Sequence, residues 1–319
     1  MLNAIALIKP QVSVAPSLLT INLFNNDNIF ISVMAQSISI TAYSTALFST
    51  WIFVEQYSIL FDCGDGVASS LLQKSRKIKH VFITHPDRDH ITGLFQFNQL
   101  NGRDGLTVHY PKDAGSFPAL ADFTAKFDPH TSGTTWNSIS AGDSIAVRND
   151  LQVRAIRNQH VPADPSVMKS LSFVVQNEKR KLRPEFAGST GQHIAELRKE
   201  TSDDKLFETA TDIELIYSGD TPIENDGRYT NARILIHEAT FLTREEIEPD
   251  NPKRNKHSSL DSVMEMAANS NIQNLILSHF SSRYSNEQID EAIAKEKQRC
   301  GIDFPVFVIY PGQVSRFEI

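Results

Sequence analysis

"ITHPDRDHITG", residues 83–93, places His85, Asp87, Asp89 and His90 within six positions, directly after an apolar run. Four side chains able to bind a metal, that close together, build either a metal site or a crowded polar loop. The stretch "HVFITH" (80–85) is rich in β-branched and aromatic residues and reads as a strand ending on His85. A strand end holds side chains rigidly and leaves one side open, as a metal site requires. Two histidines and two carboxylates at i, i+2, i+4 and i+5 favour the metal reading.

Working outward, other strands end in the same way. "IYSGD" ends on Asp220, "LILSH" on His279, and "RAIRNQH" reaches His160 shortly after its strand. Singly, each is ordinary: a strand-end histidine faces solvent or caps, and Gly-Asp-Thr suits a tight turn. His237, inside "RILIHEA", reads as a core histidine or a support for a ligand.

"SISITAY" (38–44), "TWIFVE" (50–55) and "YSILFD" (57–62) read as consecutive strands, and "GDGVASSLLQKS" turns through glycines into a short helix. "LTVHY" (106–110), "LQVRAI" (151–156), "LSFVVQN" (171–177), "IELIYS" (213–218), "RILIHEA" (233–239), "NLILSH" (274–279) and "PVFVIYP" (305–311) follow. Residues 258–270 carry apolar side chains at 260, 263, 264 and 267, a helical stripe, with Ser258 and Asp261 as a capping box. A second helix, 285–300, opens with Ser285 three residues before Gln288. Early strands followed by strand–helix alternation predict sheets flanked by helices. We expect one domain over 36–319, with a charged, weakly patterned insertion at about 178–212. Residues 1–35 carry no motif and read as an N-terminal extension of unassigned role.

The 319 residues are enough to bury a large core, and a net charge of −7 gives no whole-protein basic field to attract nucleic acid. Cys63 and Cys300 lie far apart without metal-type spacing, which fits small buried side chains in a reduced compartment. No apolar run approaches the ~20 residues a membrane span needs. Lys9 and Pro10 interrupt the apolar start before a signal-peptide core develops. The expectation is a cytoplasmic protein with no membrane partner.

"THPDRDHITG" resembles the HxHxDH signature of the metallo-β-lactamase superfamily, with Asp87 in place of the second histidine. "LFDCGDGV" resembles the strand and turn that precede that signature. "YSGDT", "LIHEATF", "HSS" and "LSHFSSRY" resemble, in order, segments of the ribonuclease Z branch, which processes tRNA 3′ ends. The resemblance runs from about 38 to 311. It implies a four-layer αββα sandwich and two divalent metals, zinc by family habit. His85, Asp87 and His160 would hold the first metal, Asp89, His90 and His279 the second, and Asp220 would bridge. His257 of "HSS" would sit near the scissile phosphate without binding metal. Glu238 of "HEATF" would orient one of the histidines. Family members commonly pair, so a homodimer is an open partner.

This constellation suits phosphodiester hydrolysis. Two metals roughly 3.5–4 Å apart lower the pKa of a shared water and neutralise charge building on the phosphoryl oxygens. Asp89 would orient the attacking water, and a protonated His257 would donate to the departing oxygen. Asp87 is a harder ligand than imidazole and adds negative charge, which turns preference from zinc toward manganese or iron.

The family grips tRNA through an arm inserted before the bridging aspartate. Here "KRKLRP", Arg198 and Lys199 are nearly cancelled by Glu178, Glu185, Glu196, Glu200, Asp203 and Asp204. Two enzyme readings stay open: a tRNA-precursor 3′ endonuclease, and a phosphodiesterase for small or cyclic nucleotides. A non-catalytic scaffold or binding relative is the reading from another class.

Overall fold

Strands of this chain carry apolar residues on both faces because each sheet is covered on both sides. In "TWIFV", Ile52 and Val54 point between the sheets, while Trp51 and Phe53 point to an outer helical layer. Ile234 and Ile236 likewise face inward, and Leu235 between them faces out. The computed structural model describes residues 37–128, 130–224, 227–247 and 256–319. The expected extension at 1–35 lies outside the described residues.

The strands are β1 (Ser39–Thr45), β2 (Ser49–Val54), β3 (Ile59–Phe61), β4 (His80–Phe82), β5 (Thr107–Pro111), β6 (Thr135–Ile139) and β7 (Ser144–Arg148). They continue with β8 (Leu151–Arg157), β9 (Leu171–Leu182), β10 (Phe207–Tyr217), β11 (Ala232–Glu238), β12 (Leu275–Ser278), β13 (Val306–Val308) and β14 (Ser315–Glu318). They form two seven-stranded sheets, ordered β14-β1-β2-β3-β4-β5-β6 and β13-β12-β11-β10-β9-β8-β7. Each sheet is mixed: β3 to β6 run parallel, as do β10 to β13, and the rest pair antiparallel.

The helices are α1 (Val67–Leu71), α2 (Arg88–Ile91), α3 (Leu94–Asn101), α4 (Ser116–Phe127), α5 (Gly191–Glu200), α6 (Asp203–Leu206), α7 (Leu260–Ala268) and α8 (Asn286–Cys300). Buried residues of α1, α3 and α4 pack on one sheet, and those of α7 and α8 on the other. Between the sheets the rings of Phe61, Phe82, Phe173 and Tyr217 meet at centroid distances of 5.2 to 6.1 Å. The result is the expected four-layer αββα sandwich. Among the described residues no helix is long and apolar enough to cross a membrane.

Several boundaries differ from the expectation, each for a local reason. The strand before the cluster stops at Phe82, because the Thr84 N–H donates to the Asp62 carboxylate (2.7 Å) instead of continuing the ladder. The strand expected from Tyr57 starts at Ile59, since Glu55–Tyr57 coil into a short 3-10 turn. The N-cap of α7 is Ser259, while the Ser258 hydroxyl donates to the Thr221 carbonyl at 2.6 Å, so no Ser258–Asp261 box forms. The box at Ser285 and Gln288 is present. Strands β6, β7 and β14 and helices α2, α3 and α4 were not expected from the sequence. The three strands lie at or next to sheet edges and are only part buried, so their apolar alternation is weak.

The charged insertion is a β-ribbon, not a patternless stretch. β9 and β10 continue past their sheet neighbours and pair with each other from Glu178↔Thr211 to Leu182↔Phe207. Helices α5 and α6 cap the tip. A two-stranded ribbon exposed on both faces needs no apolar alternation, so its sequence looks unpatterned.

Candidate metal centre

Asp62 organises the site from beneath. It is fully buried, with φ 53°, at the end of β3. Its Oδ1 accepts the Thr84 N–H (2.7 Å), and the Thr84 hydroxyl lies 2.9 Å from both carboxylate oxygens. Its Oδ2 accepts from His90 Nδ1 (2.8 Å) and from the Tyr217 hydroxyl (2.7 Å). Nothing in "LFDCGDGV" by itself assigns Asp62 a role. An aspartate closing an otherwise apolar strand, two residues from a glycine, was the available signal.

Proton bookkeeping then fixes the histidines. A carboxylate only accepts, so His90 donates Nδ1–H to Asp62. The Thr84 hydroxyl spends its proton on Asp62 and therefore accepts Nδ1–H from His85 at 2.9 Å. His160 donates Nδ1–H to the Lys256 carbonyl at 2.7 Å. The Thr240 hydroxyl donates to Glu238 Oε2 (2.6 Å) and accepts Nδ1–H from His279 (2.9 Å). All four rings thereby turn an Nε2 lone pair away from their supports, the tautomer that ligating histidines adopt.

The Nε2 atoms of His85, His90 and His160 are buried and have no hydrogen-bond partner. Buried polar atoms are normally paired, so three orphans in one cluster call for an occupant. The neighbouring donors are carboxylates. Asp87 Oδ2 lies 3.7 Å from His85 Nε2 and 3.6 Å from His160 Nε2. Asp89 Oδ2 lies 3.7 Å from His90 Nε2 and 3.4 Å from His279 Nε2. Asp220 Oδ2 is 3.8, 3.3 and 3.2 Å from His85, His90 and His279 Nε2. With metal–nitrogen bonds near 2.0–2.1 Å, neighbouring ligand atoms of a tetrahedral ion stand about 3.3 Å apart. The donor spacing fits that coordination.

Three donor groups can each enclose an ion: His85, Asp87 and His160; Asp89, His90 and His279; and His85, His90 and Asp220, which links the other two. Two more include His257: with His160 and Asp220, and with Glu238 and His279. The seven residues singled out from sequence as ligands thus come together at one end of the sheets. His237 stays apart, buried against Tyr229, with Nδ1–H donated to the Glu238 carbonyl at 2.8 Å.

At Asp220 and His85 the electrostatics match the ligating forms, whereas at His90 burial is overridden by Asp220 and Asp62, which hold a proton that a bound cation would displace. Burial works to protonate Asp220, but His279 and His90 beside it hold its carboxyl well below the usual range. Burial, together with the neighbouring His90 and His160, pushes His85 well below the usual histidine range and keeps it neutral. An ionised carboxylate and a neutral imidazole are the states a cation needs.

His257 and Glu238 form the other half of the site. His257 Nδ1 donates to Glu238 Oε1 at 3.1 Å and lies 3.9 Å from Asp220 Oδ2. Burial lowers the affinity of His257 for a proton, but the Glu238 carboxylate overrides it and raises the pKa to about 9. Glu238 also accepts the Thr221 N–H at 2.7 Å, so it ties His257, His279 and the Asp220 turn together.

A test of the support follows. Asp62→Ala strips His90 and Thr84 of their acceptor, and we expect metal affinity to fall about 10–100-fold. Competition against a chromophoric chelator measures it; unchanged affinity would remove Asp62 from the centre.

Comparison with known proteins agrees with this geometry. The model of the "Beta-lactamase superfamily domain" matches residues 57–204. The chloroplastic tRNase Z TRZ2 of Arabidopsis thaliana is 27% identical over 298 residues, covering 90% of this chain and 79% of that one. The ribonuclease Z of Haloarcula marismortui is 28% identical over 295 residues, covering 82% of this chain and 88% of that one. Among solved structures, human tRNase Z, short form, superposes with a TM-score of 0.55 at 18% identity, covering 87% of this chain and 98% of that one. Residues 57–204 of this chain match the metallo-β-lactamase superfamily domain, and over most of its length the chain has distant homologues named ribonuclease Z or tRNase Z.

Proposed function

We propose that the chain is a ribonuclease Z-like, metal-dependent phosphodiesterase that acts first on the 3′ end of tRNA precursors. The observation that carries this reading is the convergence of three unpartnered buried Nε2 atoms on Asp87, Asp89 and Asp220, beside the Glu238–His257 pair. Divalent ions on these donors supply positive charge for the phosphoryl oxygens and lower the pKa of a bound water. Burial works to protonate Asp89, but His279 and His90 beside it hold its carboxyl low, and with the ions bound it would align that water and take up its proton. His257 carries the proton for the departing oxygen, and Glu238 keeps it charged and oriented. His85, Asp87 and His160 are assigned to one ion, Asp89, His90 and His279 to the other, and Asp220 to both.

Zinc is the family expectation for both ions, but Asp87 hardens the first site. We expect Asp87→His to move bound metal toward zinc, and the native chain to retain more manganese or iron. Elemental analysis of both proteins after growth in a mixed-metal medium checks this. An unchanged metal ratio would show that Asp87 does not set the choice.

The β9–β10 ribbon supports the tRNA reading, since it is an arm of the kind a distant tRNA contact needs. One observation favours the second reading, a small or cyclic nucleotide. Lys179 and Lys181 both pair with Asp212, and Arg180 and Arg198 both pair with Asp203. Arg180 and Arg198 also stack on Phe207, at 5.4 and 4.7 Å. Phosphate contacts dominate affinity for nucleic acid, and cations held by their own carboxylates are weaker partners for phosphate. Metal-loaded protein is assayed with a tRNA precursor bearing a 3′ trailer, with cyclic AMP or GMP, and with bis(p-nitrophenyl) phosphate. Trailer removal supports the first reading. Cleavage of the small esters with the precursor left intact supports the second. No turnover of any supports the non-catalytic scaffold.

A further inference from the structure

The β1–β2 turn stands against the centre, and the mechanism above leaves its side chains unused. Ala46, Leu47 and Phe48 connect Thr45 to Ser49, and Leu47 takes φ 70°. That conformation is uncommon for a branched, bulky residue. The turn is fixed to the site from several sides. The Leu47 N–H donates to Asp89 Oδ2 at 3.0 Å, and the Ser44 hydroxyl accepts the His279 N–H at 3.0 Å. The Ala46 N–H donates to the Phe280 carbonyl at 3.2 Å, and Thr45 Oγ1 accepts the Gly312 N–H at 2.8 Å.

Yet the two apolar side chains at this turn remain in solvent. Leu47 is 67% exposed and Phe48 63% exposed. A turn that only joins two strands would carry glycine, asparagine or aspartate at its left-handed position. Here a turn whose backbone is one hydrogen bond from a candidate metal ligand carries an exposed leucine and an exposed phenylalanine. A nucleotide with its phosphate at the centre brings a flat, weakly hydrated base within a few ångströms of that phosphate. Aromatic side chains are the usual seat for such a base, and they accept any base because every base has a π-face.

We propose that Phe48 is the stacking platform for the nucleobase on the non-leaving side of the scissile phosphate. This rests on the phosphodiesterase reading and narrows the substrate to nucleotidyl esters, whether an RNA 3′ end or a small nucleotide. The Leu47 N–H ties the platform to Asp89, so the base and the reacting phosphate are registered by one short turn.

Two substrates with the same leaving group isolate the base: thymidine 5′-(p-nitrophenyl) phosphate and methyl p-nitrophenyl phosphate. Wild type is expected to prefer the thymidine ester. Phe48→Ala should reduce that preference on the order of tenfold, mainly through KM, and leave the methyl ester within about twofold. Phe48→Tyr should restore it. An equal loss for both esters would mean that Phe48 only shapes the turn, and would overturn the proposal. Binding is read separately from turnover. In metal-loaded Phe48→Trp, AMP should quench the new indole, and ribose 5-phosphate, which carries a phosphate and no base, should not. Base-dependent quenching without turnover of either ester would sink the hydrolase reading and leave the platform standing. Equal responses to AMP and ribose 5-phosphate would sink the platform, whatever the turnover.

Discussion

Asp220→Asn is expected to lose bound metal and to lower phosphodiester turnover at least about 10³-fold, because several kcal/mol of charge stabilisation go with the metal. No other carboxylate in the site stands within 4 Å of so many rings: His85, His90, His279 and His257 all lie at 3.2 to 3.9 Å from its Oδ2. It is also the residue that joins the two outer donor groups. Asparagine keeps the shape of the turn and removes the charge, so the variant separates ligation from folding. Metal content and turnover should fall together, with the circular dichroism spectrum unchanged. A variant that holds its full metal complement would show that Asp220 does not bridge.

His257→Ala is expected to do the opposite: metal content stays intact, and kcat falls about 10²–10⁴-fold, the usual worth of a positioned acid. The loss should be smaller for a substrate whose leaving group needs no proton, such as p-nitrophenolate. The comparison of that ester with an alkyl leaving group therefore tests the assigned role directly. Equal losses on both would make His257 a structural residue.

The same pair predicts a pH dependence for the metal-free chain. His257 rises from its ordinary value near 6.5 to about 9 on folding. The folded state therefore binds this proton more tightly than the unfolded state. That stabilisation is complete below pH 6.5 and disappears as pH rises through about 9. Burial raises the Glu238 carboxyl, but its neighbour His257 more than compensates and holds it below 4.5. Its contribution is present above that pH and is lost on acidification. Urea midpoints measured on His257→Ala and the native chain should differ most between about pH 4.5 and 6.5 and converge above pH 9.

Particular residues show what was legible in the sequence. His85, Asp87, Asp89 and His90 declared themselves by density, because one short segment supplies four of the seven residues singled out as ligands. His160, Asp220 and His279 could be read only as strand-end residues whose meaning depended on the others. Early strands followed by strand–helix alternation announced sheets flanked by helices, and the resemblance implied the four-layer sandwich, which covers both faces of a strand such as "TWIFV". Asp62 was legible only as an aspartate closing an apolar strand near a glycine, not as the support of the site. Its importance lies in four bonds to residues 22 to 155 positions away, and no local pattern encodes them. The arm was hidden for a related reason. Its two strands are held by each other and by paired charges, so the apolar period that marks a core strand is absent. The αL position of Leu47 was invisible as well, because nothing in "STALFST" announces a strained turn.

The central claim is that these residues form a divalent metal centre. Metal analysis of the full-length chain, purified without chelator from a metal-replete host, tests it most directly. Close to two tightly held divalent ions per chain are expected, with manganese or iron well represented beside zinc. A chain that carries no stoichiometric metal, and takes up none on dialysis against zinc, manganese or iron, would contradict it.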